Sequence, residues 1–340
     1  MEAGIPTEYS DGQVTGQILK DYYKFDKCLW KNLYTSVRRY KRSQPQASGD
    51  TSKASDTRAG IYDMLDGHPT VIVKTYELDH PAMADHYKAY IYCQVMQEYQ
   101  FCRDAVRDRC FTEVLGLECK KKFNLSEFPI IRLFMKDYKD GDLKAWRDKL
   151  SKENVEVPMN RIESMARDII KSIDLLGTKY NLIHRDAKPD NFFIDGERVV
   201  LADFENAIPS TKEAIDKEAS SKVHIDMTGS FYFRPGDLST HYIDSEWDAF
   251  SLGLTLYFLI AGHLIYDKTS QCLLPFAAAI ADGKVNFTKD CPAWLQCVVR
   301  KCLSNRDDRI SWWREWRCNV RKGMSEDDAI SAMTHNNESK

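Results

Sequence analysis

An α+β chain, strand-rich in its first part and helical in its second, is what the sequence predicts, and three patterns predict it. Strand-like runs rich in β-branched and aromatic residues come first: Gly60–Leu65, Val71–Tyr76 (VIVKTY), Phe111–Cys119 and Pro129–Met135 (PIIRLFM). From Met159 onward, Ile162, Met165, Ile169, Ile170, Ile173 and Leu176 recur at helical spacing and mark one buried face. The third pattern, Phe250–Tyr266 (FSLGLTLYFLIAGHLIY), is apolar all round yet shorter than the roughly 20 residues of a bilayer span. It reads as a helix buried at the centre of a large domain, so no membrane span is expected.

The remaining segments follow in order. Val37–Arg42 carries Arg38, Arg39, Lys41 and Arg42 and reads as a solvated strand or helix end rather than a phosphate or nucleic-acid patch. Gln44–Thr57 (QPQASGDTSKASDT) has no large apolar residue and reads as a loop or linker. A helix rich in polar and aromatic residues is expected over about Ala82–Arg107, and the final MTHNNESK reads as a frayed tail.

Composition narrows the function classes. In 340 residues, 48 Lys and Arg oppose 51 Asp and Glu, for a net charge of −3. That balance argues against a nucleic-acid partner, which calls for a basic excess. The 43% hydrophobic content argues against global disorder. Ten Cys are scattered without a CxxC pair, and MEAGIPTEYSDGQ shows no basic and apolar leader. Free thiols in a reducing, cytoplasmic or nuclear setting are the expectation. Cys291, Cys297 and Cys302 suit one helix face as well as a metal site, and the helix face is the simpler reading.

The chemistry is concentrated in Leu182–Asp195 (LIHRDAKPDNFFID) and Val199–Ala207 (VVLADFENA). Asp186, Lys188, Asn191 and Asp203 put two carboxylates, an ammonium and an amide on neighbouring loops. Phosphoryl transfer needs such a set: oxygen donors for Mg²⁺, a cation for the moving phosphoryl charge, and a carboxylate to orient a hydroxyl nucleophile.

These residues resemble the signature of the eukaryotic protein kinase family, H-R-D-x-K-x-x-N followed by D-F-G. Further resemblance lies in VIVK at Lys74, in FMKDYKDGDL (Phe134–Leu143) as an interlobe hinge, in GSFYFRPGD (Gly229–Asp237) at the A-P-E segment, in DAFSLG (Asp248–Gly253) at D-x-W-S-x-G, and in Arg309 as partner of Asp237. The resemblance covers about Ala59–Trp316. It implies a two-lobed protein-kinase-like fold, with a small strand-rich N-lobe at 59–138 and a larger helical C-lobe at 139–320. An extension and polar loop, with a first strand as an open alternative within it, would precede it at 1–58 and a tail follow at 321–340.

It also implies ATP and Mg²⁺ as cofactors, held between the lobes, and protein substrates bearing Ser or Thr. Asp186 and Lys188 take the catalytic roles, Asp186 orienting the hydroxyl and Lys188 stabilising the transferred phosphoryl group. Asn191 and Asp203 hold the metal. Lys74 grips ATP once paired with a helix carboxylate, expected at Glu98 with Asp104 or Asp85 as alternatives. Met135 is the gatekeeper, Lys136 and Tyr138 belong to the strand that hydrogen-bonds adenine, and Ile72 and Phe193 occupy the positions that sandwich it. Lys188, two residues after Asp186, follows the Ser/Thr pattern. Arg185 points to regulation by phosphorylation, with Ser210, Thr211, Ser220, Ser221 and Thr228 as candidate acceptors.

Four departures concern the nucleotide. No G-x-G-x-x-G precedes Lys74, where only Gly49, Gly60 and Gly67 stand. Glu205 replaces the glycine of D-F-G, removing a residue free to take positive φ and adding an anion beside the metal position. Ile72 and Phe193 are larger than usual at their positions, which narrows the cleft. Two other readings stay open: a pseudokinase scaffold, and a small-molecule kinase of related fold such as an aminoglycoside or choline phosphotransferase.

Overall fold

The computed structural model describes residues 8–12, 23–32, 34–42, 68–78, 83–120, 130–214, 233, 247–264, 285 and 287–337. The chain forms two units, residues 1–137 and 138–340. The expected 138/139 boundary lies one residue away.

In the first unit six strands make one antiparallel sheet: β1 (Glu8–Gly12), β2 (Tyr23–Lys31), β3 (Thr35–Arg42), β4 (Thr70–Glu77), β5 (Val114–Lys120) and β6 (Ile130–Lys136), in the order β1-β5-β6-β4-β3-β2. Strand β4 buries Val71 and Val73 on one face and Tyr76 on the other, as the two-residue period of a strand sorts them. Helix α1 (Asp85–Ala105) turns Tyr92, Val95, Tyr99 and Cys102 inward at spacings of three, four and three. Tyr92, Val95 and Tyr99 pack with Leu117, Ile131 and Leu133 of β5 and β6 in one core. Residues 1–58, expected as an extension, therefore supply three strands of the sheet. Gly60–Leu65 lies outside the described residues.

Helices dominate the second unit. Asp142 caps α2 (Leu143–Lys152), its carboxylate accepting from the Ala145 amide at 2.7 Å. Helix α3 (Met159–Thr178) buries Ile162, Met165, Ile169, Ile173 and Leu176. Short β7 (Leu182–Ile183), β8 (Phe192–Asp195), β9 (Arg198–Leu201) and β10 (Ile208–Pro209) form two small ribbons, β8 with β9 and β7 with β10.

Helix α4 (Trp247–Ala261) is buried from Trp247 through Ile260. This is the apolar segment of the sequence, and no described helix is long and apolar enough to cross a membrane. Gly253 admits a close neighbour, since a Cβ there would lie 2.8 Å from the Cβ of Cys302. Helices α5 (Ala293–Cys302), α6 (Arg306–Arg321) and α7 (Glu326–Asn337) follow among the described residues. The predicted tail is thus corrected: Ala329 and Met333 are buried, and Glu326 meets Arg167 of α3 at 2.8 Å. Cys297 and Cys302 ride on α5 and Cys291 just precedes it; all three are free thiols, with burial raising each pKa.

Candidate active-site elements

In the first unit, Lys74 stands on β4 with its ammonium 3.9 Å from Glu98 Oε2 and 5.4 Å from the centre of the Tyr76 ring. Glu98 is 0% exposed, because the packed face of α1 turns it toward the sheet. The other two carboxylates considered from the sequence sit elsewhere: Asp85 pairs with Lys88 at 3.0 Å, and Asp104 accepts from Gln100 at 2.8 Å.

Ile72 and Met135 are paired across β4 and β6, and both pack at the core beneath α1. The Lys136 amide donates to Glu113 O at 3.0 Å, so that N–H is taken within the sheet.

The hairpin preceding Lys74 is β2–β3, which the sequence reading did not find. Asn32 closes its turn: Oδ1 accepts from the amides of Tyr34 at 2.8 Å and Thr35 at 2.6 Å. A glycine-rich loop leaves such amides to phosphates; here a side chain takes them. The only sequence signal was an Asn two residues before Tyr34, ordinary for an Asx turn. The expected solvated stretch is strand β3, and two of its cations are paired, Arg39 with Asp137 and Lys41 with Asp26.

In the second unit the Asp186 loop is tightly tied. Lys188 Nζ donates to Asp186 Oδ2 at 2.7 Å, and Asn191 Nδ2 donates to the same oxygen at 3.1 Å and to Asp186 O at 2.8 Å. Asp186 and Asn191 are buried, and Lys188 is partly exposed. The two bonds from Nδ2 fix which end of the Asn191 amide is oxygen. Ala202 N donates to Asn191 O at 2.9 Å, tying Asn191 to the residue before Asp203. Asn191 and Asp203 thus offer amide and carboxylate oxygens from adjoining backbone, the donor chemistry of a hard divalent cation, and they fit Mg²⁺ on that ground.

Asp203 itself takes the left-handed conformation, φ 67° and ψ 65°, with Phe204–Asn206 a 3₁₀ turn after it. Glu205 is not among the positive-φ residues. The cost expected for losing the D-F-G glycine is therefore absent, because the positive φ falls two motif residues earlier, at Asp203. The anion expected at Glu205 remains, partly exposed.

A polar stripe on α4 holds this loop. Asp248 accepts from the amides of His184 at 2.6 Å and Arg185 at 2.8 Å. Burial raises its carboxyl pKa against the pull of His184 and those two amides. Thr255 donates to Ala187 O at 2.9 Å and Ser251 to Phe233 O at 2.7 Å. Positions 248, 251 and 255 share one helix face. The sequence named Asp248 by motif but gave no sign of what it binds.

Arg185 is buried at φ 67°, its Nε donating to Asn206 O at 2.6 Å. Of the candidate acceptors, Ser210 and Thr211 are described and Thr211 is exposed; Ser220, Ser221 and Thr228 lie outside the described residues. So does Asp237, while Arg309 is buried over the Phe250 ring and donates to Ser304 O at 2.9 Å. The rings of Phe193 and Tyr138 stack at 5.5 Å and 14°, which covers one face of the ring expected to meet adenine.

Comparison with known proteins agrees with this arrangement. A probable serine/threonine-protein kinase of Clostridium acetobutylicum is 27% identical over 165 residues, 47% of this chain and 24% of that protein. Serine/threonine-protein kinase PKH2 of Saccharomyces cerevisiae is 29% identical over 150 residues, 42% of this chain and 14% of its own length. The dual specificity mitogen-activated protein kinase kinase mek-1 of Caenorhabditis elegans is 31% identical over 152 residues, 43% of this chain and 41% of that protein. The chain thus spans less than half the length of each of these relatives. A family model described as protein kinase domain matches residues 125–317, more than half of the chain and all of the Asp186 loop, so the chain belongs to the protein kinase family.

Proposed function

We propose that the chain transfers the γ-phosphoryl group of Mg²⁺-ATP to Ser or Thr hydroxyls of protein substrates. The observation that carries this reading is the Asp186 carboxylate, buried yet bonded by Lys188 and Asn191, an arrangement that suits a general base beside a cation. In this reading Asp186 orients the attacking hydroxyl and receives its proton, and Lys188 offsets charge on the transferred group. Asn191 and Asp203 would hold Mg²⁺, which would supply positive charge against the negative charge of the phosphates. In the first unit Lys74, steadied by Glu98, is assigned to the α and β phosphates and Ile72, Met135 and Lys136 to adenine; in the second unit Tyr138 and Phe193 are assigned to adenine.

A second reading, a kinase-fold binding module without transfer, is favoured by one observation: the turn amides before Lys74 are taken by Asn32. Incubation with labelled ATP, Mg²⁺ and generic Ser/Thr acceptors separates the two. Transfer that disappears in Asp186→Asn, with Mg²⁺-ATP binding retained, is the expected result, because the substitution removes the proton acceptor and no nucleotide contact. An Asp186→Asn protein as active as the wild type would sink the assignment.

A further inference from the structure

The register of the first sheet puts Arg39 in an unusual place. Strand β3 pairs Val37 with Lys74 and Arg39 with Ile72, and β4 in turn pairs Ile72 with Met135. Directly paired residues of antiparallel strands project to the same face, so Arg39 shares the face of Lys74, Ile72 and Met135. Its Nη2 lies 2.7 Å from Oδ1 of Asp137, the residue after β6. Between β3 and β6 lies β4. Neighbouring strands are about 4.8 Å apart, so a β3 side chain that reaches the end of β6 spans about 10 Å and crosses β4 beside Ile72.

The pair is also largely dry. The Asp137 side chain is 4% exposed and that of Arg39 22%. Arg39 Nε is buried and finds no hydrogen-bond partner among the described residues. A roof for a nucleobase needs only an apolar side chain of modest size, whereas a desolvated guanidinium with an unsatisfied N–H is a costly filling.

We propose that Arg39 closes the base slot: its guanidinium lies where a nucleobase would stack on Ile72, and nucleotide affinity is governed by displacement of the Arg39–Asp137 pair. This rests on the reading of Ile72 as an adenine contact. An incoming base must swing the guanidinium aside and leave the Asp137 carboxylate buried without its cation. Both steps oppose binding, and both are removed when the two charges are replaced by neutral groups of similar or smaller volume.

The test is calorimetric titration of the full chain with Mg²⁺-ATP, comparing wild type, Arg39→Val, the double variant Arg39→Val/Asp137→Asn, and that double variant with Lys74→Met added. Melting curves establish that each is folded; the double variant covers the case in which Arg39→Val alone fails to fold with Asp137 unpaired. At least a tenfold gain in affinity is expected in the double variant, with most of the binding lost again on adding Lys74→Met. Unchanged or weaker affinity in the double variant, with binding still sensitive to Lys74→Met, overturns the closure and leaves the nucleotide reading standing. Binding undetectable in every folded variant overturns both.

Discussion

Asp248→Ala tests the anchoring of the Asp186 loop most directly. The wild-type carboxylate accepts two backbone amides, at 2.6 Å from His184 and 2.8 Å from Arg185, and both donors are buried. Each hydrogen bond to a charged group contributes roughly 1.5–3 kcal/mol, and the orphaned amides gain no water in exchange. The desolvation that raises the Asp248 pKa is recovered in the alanine variant, which returns part of the loss. A net destabilisation of about 3 kcal/mol remains, a lowering of the melting midpoint by about 6–12 °C for a unit of this size. Denaturation followed by tryptophan fluorescence reads it. The pH dependence supplies a second readout. The folded carboxyl titrates above its unfolded value of about 4, so in that window the native state holds a proton that the unfolded chain has released. Wild-type stability from this group therefore falls as pH rises through the window. Alanine has no such slope, and the deficit of the variant narrows from acid toward neutral pH. A midpoint within about 1 °C of wild type would refute the anchoring argument.

Two further substitutions probe the second unit. In Gly253→Ala the new Cβ meets the Cβ of Cys302 at 2.8 Å and Leu303 Cγ at 2.9 Å, so the packing of α4 on α5 must open and urea denaturation should show a loss of about 1–3 kcal/mol. Wild-type stability would mean that the helices are not in close contact there. Glu205→Gly restores the residue type of D-F-G at a position that does not use positive φ, so it adds freedom to the unfolded chain and relieves nothing; a loss of about 0.5–1 kcal/mol is expected, and a rise in melting midpoint would contradict the backbone account.

What the sequence disclosed follows what each pattern can encode. The Asp186 loop was legible because its residues stand within a few positions of one another. The strands β4, β5 and β6 were legible because they alternate or run apolar. Strand β2 was not, since seven of its nine residues are exposed, Phe25 and Trp30 among them, and a strand without a buried face has no period-2 signal. Helix α7 was missed for a related reason: EDDAISAMTHNN buries only Ala329 and Met333 among its described side chains, too few to mark a stripe. Glu98 was expected beside Lys74 only through the family resemblance, with Asp104 and Asp85 as alternatives, because that neighbour is set by how α1 lies on the sheet.

The polar residues of α4 show how one sequence observation can be right in direction and incomplete in meaning. From the sequence the segment read as apolar all round, a helix for a core; Ser251 and Thr255 lie within it. In the structure they share a face with Asp248, and all three bond backbone outside the helix, at His184, Arg185, Ala187 and Phe233. Two residues of the adjoining segments, Arg185 and Asp203, sit at φ 67° without being glycine, a conformation costing of order 1 kcal/mol or more apiece. Such backbone persists only where the surroundings over-determine it. A fully buried helix is the least mobile element available, and placing the acceptors and donors on it converts core stability into fixed geometry at Asp186. The apolar bulk of α4 and its three polar side chains are therefore parts of one device: the first immobilises the helix, and the second transfers that immobility to the loop.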